Sequence, residues 1–211
     1  TQNQAFSAIL FLYRNVLKND LPWLDELVRA KRPKRLPTVL TATECARVLS
    51  KLTGVHRLVA SLLYGAGLRL NEAISLRIAD LDFDRLKVLV RHGKGARDRY
   101  VLLPESLVLP LQDHIALVEK QWRVDKHRGA GFVELPTAMA QKSPNAALDW
   151  SWQWVFPATQ CYKDKDSGQR RRHHYHPTAI QRAVKVAIYA ARISKHASCH
   201  TFRHTFATHL L

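Results

Sequence analysis

Apolar residues fall at helical spacing from the first turns of the chain. Within residues 3–17, Phe6, Ile9, Leu10, Tyr13, Val16 and Leu17 share one face and predict an amphipathic helix. From Lys18 to Leu40 the pattern breaks. Pro22, Pro33 and Pro37 oppose helix, and Lys31-Arg32-Pro33-Lys34-Arg35 is basic and stiff, which reads as a linker. Thr41-Ala42-Thr43-Glu44 then has the form of a capping box, followed by Val48, Leu49 and Leu52 on one face. A second stripe (Val55, Leu58, Val59, Leu62, Leu63) predicts a buried helix that Gly65 and Gly67 end, and Asn71-Glu72 opens a short helix to Leu76.

Residues 87–91 and 99–103 alternate as strands, and His92-Gly93-Lys94-Gly95 between them is turn chemistry, so a hairpin is expected. Leu107, Leu111, Ile115, Val118 and Trp122 predict a longer helix, with Pro110 tolerable only near its first turn. Residues 129–177 read as irregular. Ile180, Ala183, Val184, Ala187, Ile188 and Ala191 form the clearest helical stripe, and a last helix is expected from Thr201 onward. The expected fold is mainly α with a small antiparallel β-sheet. Its expected parts are a helix at 1–17, a linker at 18–40, and a domain at 41–211 interrupted by an insertion at 129–177.

Charge narrows the partner. Lys and Arg number 33 against 17 Asp and Glu, a formal +16, and eleven histidines can add to it as pH falls. Such an excess repels itself unless it meets polyphosphate or anionic lipid. No apolar run approaches the ~20 residues of a membrane span, no signal peptide opens the chain, and the basic residues are not gathered on one helix face. Nucleic acid is therefore favoured over membrane. Cys45, Cys161 and Cys199 form neither a paired framework nor a CxxC, which suits a reduced, cytosolic compartment. The one methionine is Met139, so Thr1 is not a natural start and the chain is expected to be a fragment.

Three constellations carry candidate chemistry. In Gly65-Ala66-Gly67-Leu68-Arg69-Leu70-Asn71-Glu72, an arginine follows a glycine turn, where its guanidinium can hold a phosphate by two N–H groups, and Glu72 one turn later can fix it. Lys94 sits between Gly93 and Gly95, where a mobile ammonium can reach a leaving oxygen. In His200-Thr201-Phe202-Arg203-His204, His200 and Arg203 share a helix face and can converge on one anion. Each has a plainer reading by itself: a surface Arg–Glu pair, a basic turn, and a His with an Arg on a solvated face.

Taken together and in this order, the three resemble the tyrosine recombinases over nearly the whole chain. The resemblance implies a mainly helical catalytic domain at 41–211 behind an N-terminal core-binding domain, of which residues 1–17 would be the last helix. It implies that Arg69 and Arg203 bind the nonbridging oxygens of the scissile phosphate, that Lys94 protonates the leaving 5′-oxygen, that His200 assists proton transfer, and that Glu72 supports them. Guanidinium groups can stabilise the anionic transition state as a metal would. A phosphotyrosyl linkage conserves bond energy, so neither a metal nor a nucleotide cofactor is expected. The family places its nucleophilic tyrosine downstream of His-x-x-Arg-His. None of the six tyrosines here follows Arg203, so the chain is expected to be cut before the nucleophile and to bind DNA without cleaving it.

The insertion points to one branch of that family. Trp150-Ser151-Trp152-Gln153-Trp154-Val155-Phe156-Pro157 and Arg170-Arg171-Arg172-His173-His174-Tyr175-His176, with Gln181-Arg182-Ala183-Val184-Lys185 after them, look like the integron integrases. That resemblance implies capture and excision of gene cassettes in the bacterial cytoplasm, by a tetramer on DNA that recognises folded single-stranded hairpins with extrahelical bases as well as duplex sites. Trp152, His173 and His174 would stack on such bases, and Arg170, Arg171 and Arg172 would hold the backbone. Family members often carry Asp-Pro-Arg-Ser-Gly where this chain has Asp164-Lys165-Asp166-Ser167-Gly168. Other readings stand beside these. Trp150, Trp152 and Trp154 alternate as on one face of a strand and can be core. Cys161 with His173, His174 and His176 could hold zinc, although the spacing matches no strong pattern. The chain could also be a non-catalytic DNA-binding relic. A metal-dependent nuclease lacks the clustered carboxylates that two-metal chemistry needs.

Overall fold

The computed structural model describes residues 2–19, 36–91 and 97–210. The chain divides into two compact units, Thr1–Leu36 and Pro37–Leu211. In the first, α1 (Gln2–Phe11) runs into a π-helical turn at Leu12–Val16. Of the expected apolar face, Ile9, Val16 and Leu17 are exposed at 46%, 60% and 55%, and Phe6, Leu10 and Tyr13 are half-buried. The basic stretch Lys31–Arg35 lies outside the described residues.

The second unit is helical around one core. It contains α2 (Ala42–Ser50), α3 (Gly54–Gly65), α4 (Leu70–Ile74), α5 (Val108–His127), α6 (Thr137–Lys142), α7 (Pro177–Ala190) and α8 (Cys199–His209). The capping box forms as expected: Thr41 Oγ1 accepts the Glu44 N–H at 3.1 Å, and Glu44 Oε2 accepts the Thr41 N–H at 2.7 Å. α3 is central and packs on α2, α4, α7 and α8. Val59, Leu62 and Leu63 of its stripe are fully buried, with Ile180 and Val184 of α7 and Phe202 of α8 in the same core. Each such side chain contributes about 1.5–3 kcal/mol of burial. Leu40, read as linker, belongs to this core: it is 1% exposed and its N–H donates to Thr205 Oγ1 of α8 at 3.1 Å.

The expected hairpin strands are β2 (Lys87–Val90) and β3 (Arg99–Leu102), paired antiparallel with Val88 opposite Val101. A short strand not read from the sequence, β1 (Leu81–Asp82), pairs on the other side of β2. The tip, residues 92–96 with Lys94, lies outside the described residues.

The reading of 129–177 as irregular is corrected. The segment holds α6, several 3-10 turns and an antiparallel pair, β4 (Pro157–Lys163) and β5 (Arg170–His174). β5 is a run of arginines and histidines, whose polar composition hides a strand that gains its pairing from β4 and a bridge to Phe132. The alternation of Trp150, Trp152 and Trp154 is not a strand face either: Trp150–Trp152 is a 3-10 turn whose start Asp149 caps. Among the described residues no helix is long and apolar enough to cross a membrane.

Candidate active site

The site is built where the α3–α4 turn, the start of β3 and the first half of α8 meet. Gly67 makes the turn at φ +62°, a conformation that suits glycine. A Cβ there would strike the Phe206 ring of α8, so the glycine also permits close approach. Arg203 uses that approach, and its Nη1 donates to the Gly67 carbonyl. The turn and α8 are thus tied by one apolar and one polar contact.

Glu72 is the hub. Its Oε2 accepts the backbone N–H of Arg69 at 2.9 Å, which satisfies an open donor at the start of α4. Its Oε1 accepts Arg69 Nη1 at 2.7 Å. Arg99, the first residue of β3, grips the same carboxylate with Nη2 on Oε2 at 2.7 Å and Nη1 on Oε1 at 3.1 Å. Arg203 Nη1 stands 3.8 Å from Oε2. Burial by itself pushes the Glu72 carboxyl up, but the Arg99 hydrogen bond, the Arg69 N–H and guanidinium and the Arg99 charge outweigh it and hold the group at about 2. It is ionised at neutral pH. Arg203 is held below its ordinary value, first by burial, then by the like charge of Arg69, with Glu72 opposing and Arg99 adding to the effect. Three guanidiniums around one carboxylate leave an excess of two positive charges, which favours an anion.

The structure therefore brings Arg69, Glu72 and Arg203 together, and adds Arg99. Sequence reading missed Arg99 because its partner is 27 residues away; the only local sign was an arginine opening a predicted strand. His200, exposed near the start of α8, lines an adjacent cavity of about 750 Å³ with Leu70, Lys185, Ile188, Tyr189 and Ser198. Lys94 lies outside the described residues.

A second pair of ties repeats the pattern nearby. Asp80 Oδ2 accepts the Arg77 N–H at 2.9 Å, and Arg91 Nε donates to Asp80 Oδ1 at 2.6 Å. Arg77 is buried. Its Nη1 donates to the Trp152 carbonyl at 2.8 Å, its Nη2 to the Glu134 carbonyl at 2.6 Å, and its guanidinium carbon lies 3.1 Å from the Trp154 ring centroid. Burial pulls its pKa down to about 10.

The insertion residues divide. Trp154 is core, 7% exposed, and its Nε1 donates to the Arg172 carbonyl at 3.1 Å. Trp150 packs on Trp122, with ring centroids 5.3 Å apart. Trp152 is half-buried under the Arg91 guanidinium at 5.3 Å. His173 stacks on Trp154 at 5.9 Å and His174 meets its edge at 5.2 Å, the two imidazoles lying 4.0 Å apart. Burial holds His174 below its ordinary pKa, against the hydrogen bond to the Tyr175 carbonyl at 2.8 Å. Arg170 is exposed. Arg171 is half-buried and faces Asp164 at 3.5 Å. Arg172 departs from its expected role on a DNA backbone. It is 9% exposed and its Nε and Nη2 hold Asp125, because a guanidinium at this depth needs a carboxylate partner. Asp164, Ser167 and Gly168 make the β4–β5 turn: Asp164 Oδ2 accepts from the Ser167 N–H at 3.0 Å, and Gly168 has φ +69°. Lys165 and Asp166 sit exposed at its tip. Among the described residues no group of three or more His, Cys, Asp or Glu converges as a metal site would.

Comparison with known proteins decides the family. The model of the phage integrase family matches residues 34–211. The chain belongs to the phage integrase family. Proteins described as "Integrase/recombinase" in Escherichia coli and Pseudomonas aeruginosa are each 46% identical over 211 residues, all of this chain and 63% of theirs. The chain thus spans less than two thirds of those relatives. A crystal structure of XerA recombinase aligns with 99% of the chain and 61% of its own at TM-score 0.53 and 25% identity. The Tn1549 transposon integrase in complex with circular intermediate DNA aligns with 99% of this chain and 65% of its own at TM-score 0.52 and 19% identity, a likeness of fold. The mainly helical catalytic fold with small antiparallel sheets is the one shared by these recombinases.

Proposed function

We propose that this chain is the phosphate-binding and DNA-binding part of a tyrosine-type site-specific recombinase. The observation that carries the reading is the convergence of Arg69 and Arg203 on the Glu72 carboxylate, with charge to spare. In the proposed reaction a tyrosine oxygen attacks phosphorus, the bond to the 5′-oxygen breaks, and a 3′-phosphotyrosyl linkage forms. Arg69 and Arg203 bind the nonbridging oxygens, His200 assists proton transfer, and Lys94 delivers the proton that the 5′-oxygen takes up. The 211 residues hold no tyrosine after Arg203, so these residues alone bind DNA and leave it uncut. The proposed recombinase would assemble as a tetramer on two sites in the bacterial cytoplasm, with no metal.

We further propose that its substrates are integron cassette sites, folded hairpins as well as duplex. Support comes from the insertion, where His173 and His174 pack on the Trp154 ring, Trp152 lies under the Arg91 guanidinium, and Arg170 is exposed. The test compares binding of this chain, at fixed moderate salt, to a labelled hairpin with extrahelical bases and to the same sequence as perfect duplex. Preference for the hairpin that Trp152→Ala or His173→Ala abolishes supports the cassette reading. Equal, steeply salt-dependent binding to both reduces it to phosphate contacts and removes the hairpin proposal. No binding to either DNA removes the recombinase reading of this chain.

A further inference from the structure

Arg99 takes both its Nη groups to Glu72, at 2.7 and 3.1 Å. Arg69 commits only Nη1 to that carboxylate, and Arg203 Nη1 turns to the Gly67 carbonyl. Of the three guanidiniums, Arg99 is therefore the one most fully consumed by the acid, and the other two retain N–H donors. The pairing is also shielded, since the Glu72 side chain is 10% exposed and that of Arg99 32%.

The inference rests on Arg69 and Arg203 being the phosphate-binding pair. We propose that Arg99 is a positioning residue that neutralises and holds the Glu72 carboxylate, so that Arg69 and Arg203 present two uncompensated positive charges to a phosphodiester. Without Arg99, Glu72 has two partners left. It keeps Arg69 and draws in Arg203 from 3.8 Å, and the net charge of the group falls from two to one. A phosphodiester carries one negative charge and its pentavalent transition state two, so the loss falls hardest on the transition state.

The test reads phosphate affinity and charge together. The arginine side-chain Nε–Hε signals of the 211-residue chain are followed by NMR as inorganic phosphate is added, with Arg203→Ala marking the site. Arg99→Met is expected to weaken binding about tenfold, the size of one lost charge contact in a partly solvated site. Arg99→Lys keeps the charge and is expected to stay within about threefold of the parent. The double variant Glu72→Gln, Arg99→Met removes acid and counter-charge together, and its binding is expected to recover to within about threefold of the parent. Recovery is what a purely structural Arg99 cannot produce, because packing losses add. Unchanged binding in Arg99→Met, or a double variant weaker than either single one, overturns the proposal while leaving the phosphate site standing. Phosphate binding that Arg203→Ala does not alter overturns the site itself, and the role of Arg99 with it.

Discussion

Asp125 and Arg172 join the end of α5 to β5 by a two-armed ion pair, with Nε to Oδ2 at 2.7 Å and Nη2 to Oδ1 at 3.0 Å. Both residues are buried, at 6% and 9% exposure. Arg172 Nη1 also donates to the Ala158 carbonyl at 2.6 Å on β4, and Gln121 Nε2 donates to Asp125 Oδ1 at 3.0 Å. The insertion is thereby anchored to the long helix through charge. Replacing one partner strands the other in a medium that solvates it poorly. Asp125→Ala is expected to cost about 3–5 kcal/mol in urea denaturation, whereas a paired apolar replacement of both costs much less. A loss under about 1 kcal/mol for Asp125→Ala would show that water reaches the guanidinium.

Gly67 makes a second, sharper prediction. Any side chain there meets the Phe206 ring and must hold φ at +62°. Gly67→Ala should destabilise the second unit by about 2–4 kcal/mol, from strain and overpacking together. It should also weaken phosphate binding, because the Arg203–Gly67 hydrogen bond sits on the displaced turn. Thermal unfolding and phosphate titration of the same variant measure the two effects, and a wild-type melt refutes the first.

The acid side of the stability profile reports on Glu72. Its folded-state pKa of about 2 lies below the ordinary value of 4.5, so its ionised form stabilises the native state above the ordinary value. That contribution is lost as pH falls from about 4.5 toward 2. Glu72→Gln should therefore be less stable than the parent at pH 6 by about 2 kcal/mol after allowance for solvent screening. The gap should close on acidification through that window. A gap independent of pH would mean that the carboxylate contributes shape and not charge.

On the proposed strand-transfer function, in a protein that carries these residues together with a nucleophilic tyrosine, Arg69→Lys and Arg203→Lys should lower strand cleavage by about a hundred- to a thousandfold, because an ammonium cannot supply the forked pair of N–H donors. Binding to duplex DNA should change by less than about threefold, since a chain of formal charge +16 offers a phosphate backbone many other basic residues. Gel-shift and phosphotyrosyl-trapping assays on the same preparations separate the two. Equal losses in both would make these arginines general DNA contacts.

How much of this was legible in the sequence varies with the range of the interaction. The capping box at Thr41–Glu44, the α3 stripe, the α7 stripe and the Arg69–Glu72 pair are all local, with partners three or four residues apart. Spacing was enough to find them. The β4–β5 pair escaped because its strands are polar and lack the alternation that a half-buried sheet imposes. Arg172 was read with its neighbours as one basic run, and only the fold separates the arginine turned inward from the one left outside.

The sequence by itself determined the helices of the second unit other than α6, and the expectation of a polyanionic partner from the +16 charge. Those follow from periodicity and composition, which are properties of short windows and sums, whereas Arg69, Glu72 and Arg203 became one candidate set through the resemblance of their motifs, in order, to the tyrosine recombinases. The tertiary structure decided which charges are spent and which are free. Arg99 meets Glu72 across 27 residues and Arg172 meets Asp125 across 47. Pairings at that distance are set by how α3, α4, α5 and the two small sheets pack, and no local pattern encodes them.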